Sequence, residues 1–259
     1  MNTTEAVAHQ IDARALHYRD LNSLLRQTVN NGAEGPEGAV TLIDIINVFG
    51  QRYLGTDLHR PAEIHIHGTP GNDLASFMDG PRIIVHGNAQ DGCGNTMNAG
   101  EIVIHGRAGD VTGHSMRGGK IWVRDDVGYR VGIHMKAYQD RRPMIVIGGT
   151  AQHFLGEYMA GGVLLVLGLT LQPGQLHQAS FVGTGMHGGV MYIRGELADH
   201  QLGKGVGRVP LDDEDRGLIE ELVNGYVDRF GGDPAEILLG SFIKLVPLSL
   251  RPYGRLYAY

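Results

Sequence analysis

The chain contains very little cysteine, with Cys93 alone among 259 residues. A single cysteine cannot form a disulfide within the chain or supply the thiolates of a zinc or iron–sulfur site. Long apolar runs are also missing, and none approaches the roughly 18 residues that a membrane-spanning helix needs. The N-terminus has neither the basic nor the apolar region of a signal peptide. These absences predict a soluble, cytoplasmic protein.

Positive charge is scarce as well. The 22 Lys and Arg are outnumbered by 28 Asp and Glu, which leaves a net charge of −6 and no basic block. Nucleic acid and anionic membranes are therefore not expected as partners. Glycine-rich runs such as residues 87–100 resemble nucleotide-binding loops, but they lack the strand–GxGxxG–helix context and the lysine-serine pair of a P-loop. The sequence predicts no nucleotide site in them.

Glycine is abundant, with 40 residues, and it is periodic. Short apolar runs start at Ile64, Ile83, Ile102, Ile121, Ile145, Leu164 and Met191. Successive starts are 19 residues apart, except where insertions near 140–143 and 172–175 lengthen the spacing to 24 and 27. A fixed period of this length is the signature of stacked structural repeats.

Two further columns keep the same register. Fourteen residues after the strand starts stand methionines, displaced once by the second insertion: Met78, Met97, Met116, Met135, Met159 and Met186. Eleven residues after the starts, small residues recur: Ala75, Gly94, Gly113, Gly132, Gly156 and Gly183. Each repeat is thus interpreted as a β-branched strand, a glycine corner, an inward methionine and a second glycine corner.

A repeat of 19 residues is too short for two helices and suits one coil of a parallel β-helix. We predict an all-β fold of about seven coils, spaced by about 4.8 Å along the axis. The strand-start column and the column two residues later form inward aliphatic ladders, and the residue between them faces outward. The repeat spans residues 57–195, with an N-terminal segment 1–56 and a C-terminal segment 196–259.

The two flanking segments are predicted to be helical caps. Residues 12–31 carry an apolar stripe of helical spacing, and 40–48 read as a strand before an irregular first coil at 51–55. After a loop at 196–210, acidic residues 212–215 mark a helix start and Gly231-Gly232 its end. A short helix at 234–239 and an extended apolar tail follow. Caps would cover the open ends of the β-helix.

Three histidines, His67, His86 and His105, fall in one outward column. Imidazoles at this spacing could share a zinc ion, but the column continues as Arg124, Gly148 and Leu167, which favours a solvated ladder. Cys93 lies in a glycine corner without a histidine or a cluster of positive charge in the neighbouring sequence, so it is interpreted as a small structural residue. We predict no catalytic, cofactor-binding or metal-binding residue on this chain.

Two departures from the repeat are candidates for a binding surface. The first is a cluster of aromatic, cationic and histidine side chains beside the first insertion: Tyr129, Arg130, His134, Lys136, Tyr138, Arg141 and Arg142. Insertions in a solenoid often lie on the binding face, so the cluster is either partner-facing or an ordinary solvated bulge. The second is the loop at 170–180, which is expected to project from the coils.

Several longer stretches resemble the GXGXG domain of glutamate synthase. They include INVFGQRYLGTDL, NAQDGCGNTMNAGEIVIHG, GDVTGHSMRGGKI and GGTAQHFLGEYMAGGVLLVLGL, and the tail FIKLVPLSLRPYG is similar to that of the stand-alone form of the domain. The resemblance runs from about Leu16 to Tyr257. It implies a right-handed β-helix that joins catalytic subunits and has no catalytic residue of its own.

The resemblance also implies partners. In glutamate synthases, a class II glutamine amidotransferase releases ammonia, and an FMN and iron–sulfur synthase subunit uses it with 2-oxoglutarate. We expect this chain to be a structural subunit between two such partners in a hetero-oligomer, with FMN and the iron–sulfur clusters on a partner. Asn2 is not the N-terminal nucleophile of an amidotransferase.

Two alternatives remain open from the sequence. The same β-helix occurs in formylmethanofuran dehydrogenase, in the formyltransferase/hydrolase complex of one-carbon metabolism and in N-methylglutamate synthase. The other alternative is an independent enzyme that uses the Tyr129–Arg142 cluster.

Overall fold

A single eleven-stranded sheet runs through the computed structural model, which describes residues 8–32, 40–172 and 174–248. Strands β1 to β9 follow in chain order, and β11 and then β10 complete the sheet. The strands are β1 (Ala8–Asp12), β2 (Thr41–Phe49), β3 (Ala62–Thr69), β4 (Asp79–His86), β5 (Ala99–Ile104), β6 (Lys120–Val123), β7 (Met144–Ile147), β8 (Ala160–Val166), β9 (Gly188–Arg194), β10 (Val206–Val209) and β11 (Phe242–Pro247). The helices are α1 (Tyr18–Gly32), a 3₁₀ turn (Asp199–Gln201), α2 (Asp213–Phe230) and α3 (Pro234–Leu238). The fold is an all-β solenoid of about six turns.

The parallel register confirms the predicted columns. Ile64 pairs with Ile83, and the pairing continues coil by coil through Ile102, Ile121, Ile145, Leu164 and Met191. All seven of these side chains are fully buried, and the six methionines of the second column are buried as well. Apolar side chains of the same column therefore stack on each other along the solenoid axis and form one continuous interior core.

A second apolar layer lies outside the sheet. The middle residues of the later strands are buried rather than solvated: Val103, Trp122, Val146, Leu165 and Tyr192. They pack with Ile219, Leu222, Val223 and Tyr226 of α2. The predicted helix is present, but it lies against the outer face of the sheet and not as a cap over an end of the coils. The helix lies there because these outward strand positions are apolar, and their burial against α2 removes apolar surface from water.

Helix α2 is fixed on this face by Trp122 and Arg229. The Trp122 indole donates to Glu101 Oε1 at 2.8 Å, and the Arg229 guanidinium carbon lies 4.2 Å from the indole centroid. A Cβ on Gly225 would lie 2.6 Å from Trp122 Cη2, so the helix backbone approaches the ring as closely as glycine permits.

Alanine substitutions at two glycines of α2 distinguish the contribution of helix propensity to stability from that of packing. We expect Gly217→Ala to raise the free energy of unfolding by about 1 kcal/mol, since a Cβ there meets nothing within 4 Å and alanine favours the helix. Gly225→Ala should lower it by about 1–3 kcal/mol, because overpacking against Trp122 exceeds the propensity gain. Urea denaturation of both variants tests this. Equal stabilisation by the two would contradict the packing seen here.

The N-terminal segment differs from its prediction in one respect. Residues 8–12 form β1, which pairs in parallel with β2, and α1 starts only at Tyr18. Arg14 bonds the Asp12 carboxylate through both its backbone N–H and its guanidinium, which stabilises an extended turn where a helix was predicted. Leu21, Leu25 and Val29 of α1 are buried in the interior core.

The segment after Gly195 contains more structure than the predicted loop. It includes the 3₁₀ turn and β10, which pairs antiparallel with β11, while β11 pairs antiparallel with β9. The predicted tail strand is thus present as β11, and residues 249–259 lie outside the described part. None of the helices within 8–32, 40–172 and 174–248 is long and apolar enough to cross a membrane.

The loop predicted to project is partly folded back. His177 is buried, and its Nε2 lies 2.8 Å from the carbonyl oxygen of Arg194. Gln201 Nε2 donates to the carbonyl oxygens of His177 and Ala179, both at 2.7 Å. Among the described residues of this loop, Thr170, Gln172, 174–176 and Gln178 are exposed, and Leu176 is 50% exposed.

Candidate functional site

The corners between strands share one backbone geometry. In each coil, three residues at alternate positions have positive φ, as at Arg130 (56°), Gly132 (71°) and His134 (55°). The first and third donate their N–H to the next coil, to the carbonyls of His153 and Glu157. Gly132 donates in the opposite direction, to Thr112 of the preceding coil. The corners are therefore hydrogen-bonded on both sides without being strands.

The middle residue of each corner points into the core. A Cβ on Gly113 would lie 2.3 Å from Cδ1 of Ile145, and one on Gly94 would lie 2.5 Å from Cδ1 of Ile121. Space as well as φ thus favours glycine at positions 94 and 113, whereas the first corner accommodates Ala75 with a φ of 58°. The residues on either side of it point outward, and together with their neighbours they form a continuous surface, here called the turn face. It consists of 72–77, 91–96, 110–115, 129–134, 153–158 and 180–185.

The turn face has two chemically different halves. The first three corners carry carboxylates, and this acidic half contains Asp73, Asp91 and Asp110. The last three corners form the aromatic half: Tyr129, Arg130, His134, His153, Phe154, Tyr158 and Phe181. Large side chains therefore occupy left-handed positions in the aromatic half, where a non-glycine residue costs about 1–2 kcal/mol.

The aromatic half is organised by stacking between coils. The rings of Phe154 and Phe181 are parallel to within 11° with centroids 4.9 Å apart, and those of His134 and Tyr158 stack at 5.3 Å. The Arg130 guanidinium lies 4.5 Å from the Phe154 centroid and also pairs with Glu157. These contacts fix the side chains against the surface, as in a preformed interface.

The predicted cluster is divided between two places. Tyr129, Arg130 and His134 lie on the turn face, and Lys136 follows it in the chain. Tyr138 and Arg141 form a small hairpin at the next corner, with reciprocal backbone hydrogen bonds of 3.0 Å. The Arg141 guanidinium lies 3.3 Å from Asp79 Oδ1, across the coils.

The hairpin side of the cluster borders a cleft of about 570 Å³. Arg141 and Arg142 line one wall of this cleft, and the first turn of α2 lines the other. Behind that turn, Tyr192 Oη donates to Asp215 Oδ1 at 2.5 Å, and Lys244 Nζ donates to Oδ2 at 2.6 Å. This network ties α2, β9 and β11 together, so its role in the described contacts is structural.

The same network makes the free energy of unfolding depend on pH. Burial opposes ionisation of Asp215, but the hydrogen bonds from Lys244 and Tyr192 outweigh it and lower the pKa of the carboxyl from 3.8 to about 2. The ionised form stabilises the fold above pH 4, and this contribution is lost as pH falls towards 2. We expect it to decrease by about 1 kcal/mol between pH 5 and pH 3.

The measurement compares urea midpoints at pH 5 and pH 3 for the unmodified chain and for Asp215→Asn. The variant should lose less stability across this interval, whereas Glu214→Gln, a change at the exposed neighbour, should behave as the unmodified chain. An equal pH dependence in all three would contradict the assignment.

The structure contains the predicted histidine column, which lies on the outer face of the sheet at the C-terminal ends of β3, β4 and β5. His67 and His86 stack at 4.5 Å, and His86 and His105 stack at 5.6 Å. His67 Nε2 lies 3.0 Å from Asp44, and His65 Nδ1 lies 2.9 Å from His86 Nε2. Burial and the neighbouring histidines lower the pKa of His86, and burial and Arg124 lower that of His105. The arrangement therefore favours the neutral form of His86 and His105.

Within the described ranges, no group of three or more His, Cys, Asp or Glu is placed to hold a metal ion. Cys93 is fully buried, and burial raises the pKa of its thiol to about 12. The thiol is therefore neither ionised nor accessible near neutral pH, in agreement with its interpretation as a small corner residue.

Four members of the aromatic half lie outside the predicted cluster: His153, Phe154, Tyr158 and Phe181. Phe154, Tyr158 and Phe181 stand two residues before or two residues after the glycine column, in the same positions as Arg130 and His134. The spacing contained this signal for Phe154 and Tyr158. For Phe181, the second insertion displaces the column, so the corner must be counted back from Gly183.

Comparison with known proteins agrees with this geometry. The model of the GXGXG motif family matches residues 38–250, which include every coil of the repeat. An uncharacterised protein of Methanocaldococcus jannaschii is 46% identical over 253 residues, covering 95% of each chain. The chain therefore belongs to the GXGXG motif family, the family of glutamate synthase domain 3.

Proposed function

We propose that this chain is a structural subunit of a glutamate-synthase-type complex. It would hold a class II glutamine amidotransferase subunit and an FMN-binding, iron–sulfur synthase subunit at a fixed separation, so that ammonia reaches 2-oxoglutarate without escaping. The observation that carries the proposal is the family match over 38–250 on a solenoid whose corners and strands are both bonded from coil to coil.

The chemistry of the chain supports a role without catalysis. Its one cysteine is buried with a pKa of about 12, which does not fit a nucleophile, and one thiol does not fit an iron–sulfur cluster. The proposal therefore assigns the clusters, the FMN and the glutaminase nucleophile to partner subunits. It also includes a cytoplasmic hetero-oligomer.

A rigid spacer would contribute by positioning. Fixing two active sites relative to each other makes transfer of an intermediate effectively intramolecular. The proposal takes the solenoid as right-handed with seven coils, with α1 covering one end through Leu21, Leu25 and Val29. Helix α2 and the α3–β11 segment would stiffen the opposite half.

The first experiment is to recover the chain from its native lysate and identify co-purifying proteins by mass spectrometry. The three components are then purified and combined with glutamine, 2-oxoglutarate and an electron donor for the FMN, and the glutamine hydrolysed is compared with the 2-oxoglutarate consumed. With the chain present, we expect a ratio close to one. Without it, glutamine hydrolysis should exceed 2-oxoglutarate consumption, because ammonia escapes.

The matched control supplies free ammonia in place of glutamine. Glutamate formation from added ammonia should not depend on the chain, since the synthase subunit performs that step. Equal coupling with and without the chain would contradict the proposal. Recovery of an amidohydrolase or a formyltransferase would instead assign the chain to a one-carbon complex.

A further inference from the structure

We propose that the turn face is a self-complementary surface through which two copies of this chain associate, related by a two-fold axis perpendicular to the solenoid axis. The inference starts from exposure. Phe77 is 50% exposed, Phe181 53% and Tyr129 44%, and all three lie on this one surface. Aromatic side chains grouped on an otherwise polar surface are typical of protein–protein interfaces.

The backbone gives a second, independent observation. Phe77, Phe154, Tyr158 and Phe181 all have positive φ, which is unfavourable for bulky side chains. Gly92 and Gly185 occupy the same positions in other corners without strain. Solenoid folding does not need aromatic rings there, because the rings point away from the core. Retained strain of this kind is typical of functional surfaces.

Charge indicates which partner fits. Asp91 and Asp110 each accept a backbone N–H through Oδ1, from Asp110 and Tyr129 respectively. Neither has an ion pair in the part of the chain that the structure describes. They lie in successive corners, so two carboxylates face solvent about 4.8 Å apart and repel each other. An opposing surface with donors would relieve that repulsion.

The aromatic half provides such donors. Arg130 uses Nη1 for Glu157 and has further N–H groups, and the exposed Tyr129 carries a hydroxyl. A two-fold axis between the corners 110–115 and 129–134 would place Asp110 of one copy opposite Tyr129 and Arg130 of the other. The next corners would place Asp91 opposite His153 and Phe154.

The outermost corners complete this register. The same axis brings the corner 72–77 of one copy against the corner 180–185 of the other, with Phe77 opposite Gly185, so this contact covers both Phe77 and Phe181. Both copies use the same patch, as an isologous dimer requires. Because the corners are held by hydrogen bonds to both neighbouring coils, the surface is ordered before association, which reduces the entropy lost on binding.

The test uses the full-length chain alone, by size-exclusion chromatography with light scattering over a concentration series. We expect a species of twice the 28.0 kDa chain mass. The double variant Phe154→Asn/Phe181→Asn should be monomeric and at least as heat-stable as the unmodified chain, because asparagine adopts left-handed backbone readily. A merely structural role of these rings would instead lower the melting temperature.

Two further variants examine the register. Asp91→Asn/Asp110→Asn keeps the side-chain oxygens that accept the backbone N–H groups but removes the charge, so the dimer should dissociate at least tenfold more readily and lose its salt dependence. Phe49→Asn is the matched control, since Phe49 is 91% exposed but lies outside the turn face, and it should leave the dimer intact.

A monomer at every concentration would overturn the proposal and leave the aromatic half to a different protein partner. A dimer that survives Phe154→Asn/Phe181→Asn would overturn it as well, since another face would then be responsible. The sample contains no other subunit, so neither outcome depends on the proposed glutamate-synthase-type complex.

Discussion

Replacement of Gly100 by alanine is expected to lower the free energy of unfolding by about 3–5 kcal/mol. Gly100 faces a bulge in the parallel ladder, where Asp79 pairs with Ala99 and Arg82 with Glu101, so Gly80 and Pro81 oppose one residue. Its φ is 98°, and a Cβ would lie 2.3 Å from the carbonyl oxygen of Pro81. Backbone of the preceding coil cannot yield without breaking the ladder.

Gly50→Ala provides the matched control. Gly50 also has a positive φ, of 79°, but a Cβ there meets no atom within 4 Å. This variant should lose only about 1 kcal/mol, which measures the backbone strain alone. Thermal and urea unfolding of both proteins give the comparison. Similar losses of unfolding free energy in the two variants would mean that the close backbone approach at the bulge contributes nothing to stability.

Removal of the Glu101 carboxylate should be nearly as damaging, with Glu101→Ala lowering the free energy of unfolding by about 3 kcal/mol. The side chain is only 18% exposed. It accepts from Arg82 at 2.7 Å, from the Trp122 indole at 2.8 Å and from Arg229 Nε at 3.1 Å. Alanine would leave two guanidinium groups and an indole N–H without this acceptor at the contact between sheet and α2.

Two other substitutions define how that loss arises. Glu101→Gln keeps one acceptor oxygen but no charge, so about half of the loss is expected. Glu221→Ala removes an exposed carboxylate of α2 that lies 3.4 Å from Lys120, and it should change stability by less than about 1 kcal/mol. Urea midpoints separate the three. An effect of Glu101→Ala as small as that of Glu221→Ala would contradict the described network.

The interior was predictable because the repeat keeps each residue type in one column. The isoleucine starts, the buried methionines and the corner glycines could be read from spacing, and their stacking follows from coil geometry. The turns of the first coil were predicted as irregular, yet Tyr53, Gly55 and Asp57 have the same positive φ values as every later corner. Regular backbone is therefore present where the sequence pattern is weak.

The outer layers were less predictable, for physical reasons. An apolar residue such as Trp122 or Leu165 between two inward positions does not reveal which element packs against it. For Trp122 that element is α2, about 100 residues later in the chain. The binding-face prediction combined Tyr129 and Arg142 because they are neighbours in sequence. In a solenoid, a half turn of chain moves a residue to another face, and only coil-to-coil neighbours such as Arg130 and Phe154 remain together.

The antiparallel strand β11 also decides how long the sheet can grow. Strands β1 to β9 all run in one direction, so the free edge of β9 would accept another coil, including one from a second molecule. β11 pairs with that edge in the antiparallel direction. β10 is then the last strand of the sheet, and with only four residues it offers few free backbone groups to which another strand could pair. A chain shortened to remove β11 would expose the edge of β9 to pairing, and we expect such molecules to associate end to end into fibres. The C-terminal strand is thus a terminator, which keeps a self-similar sequence from polymerising.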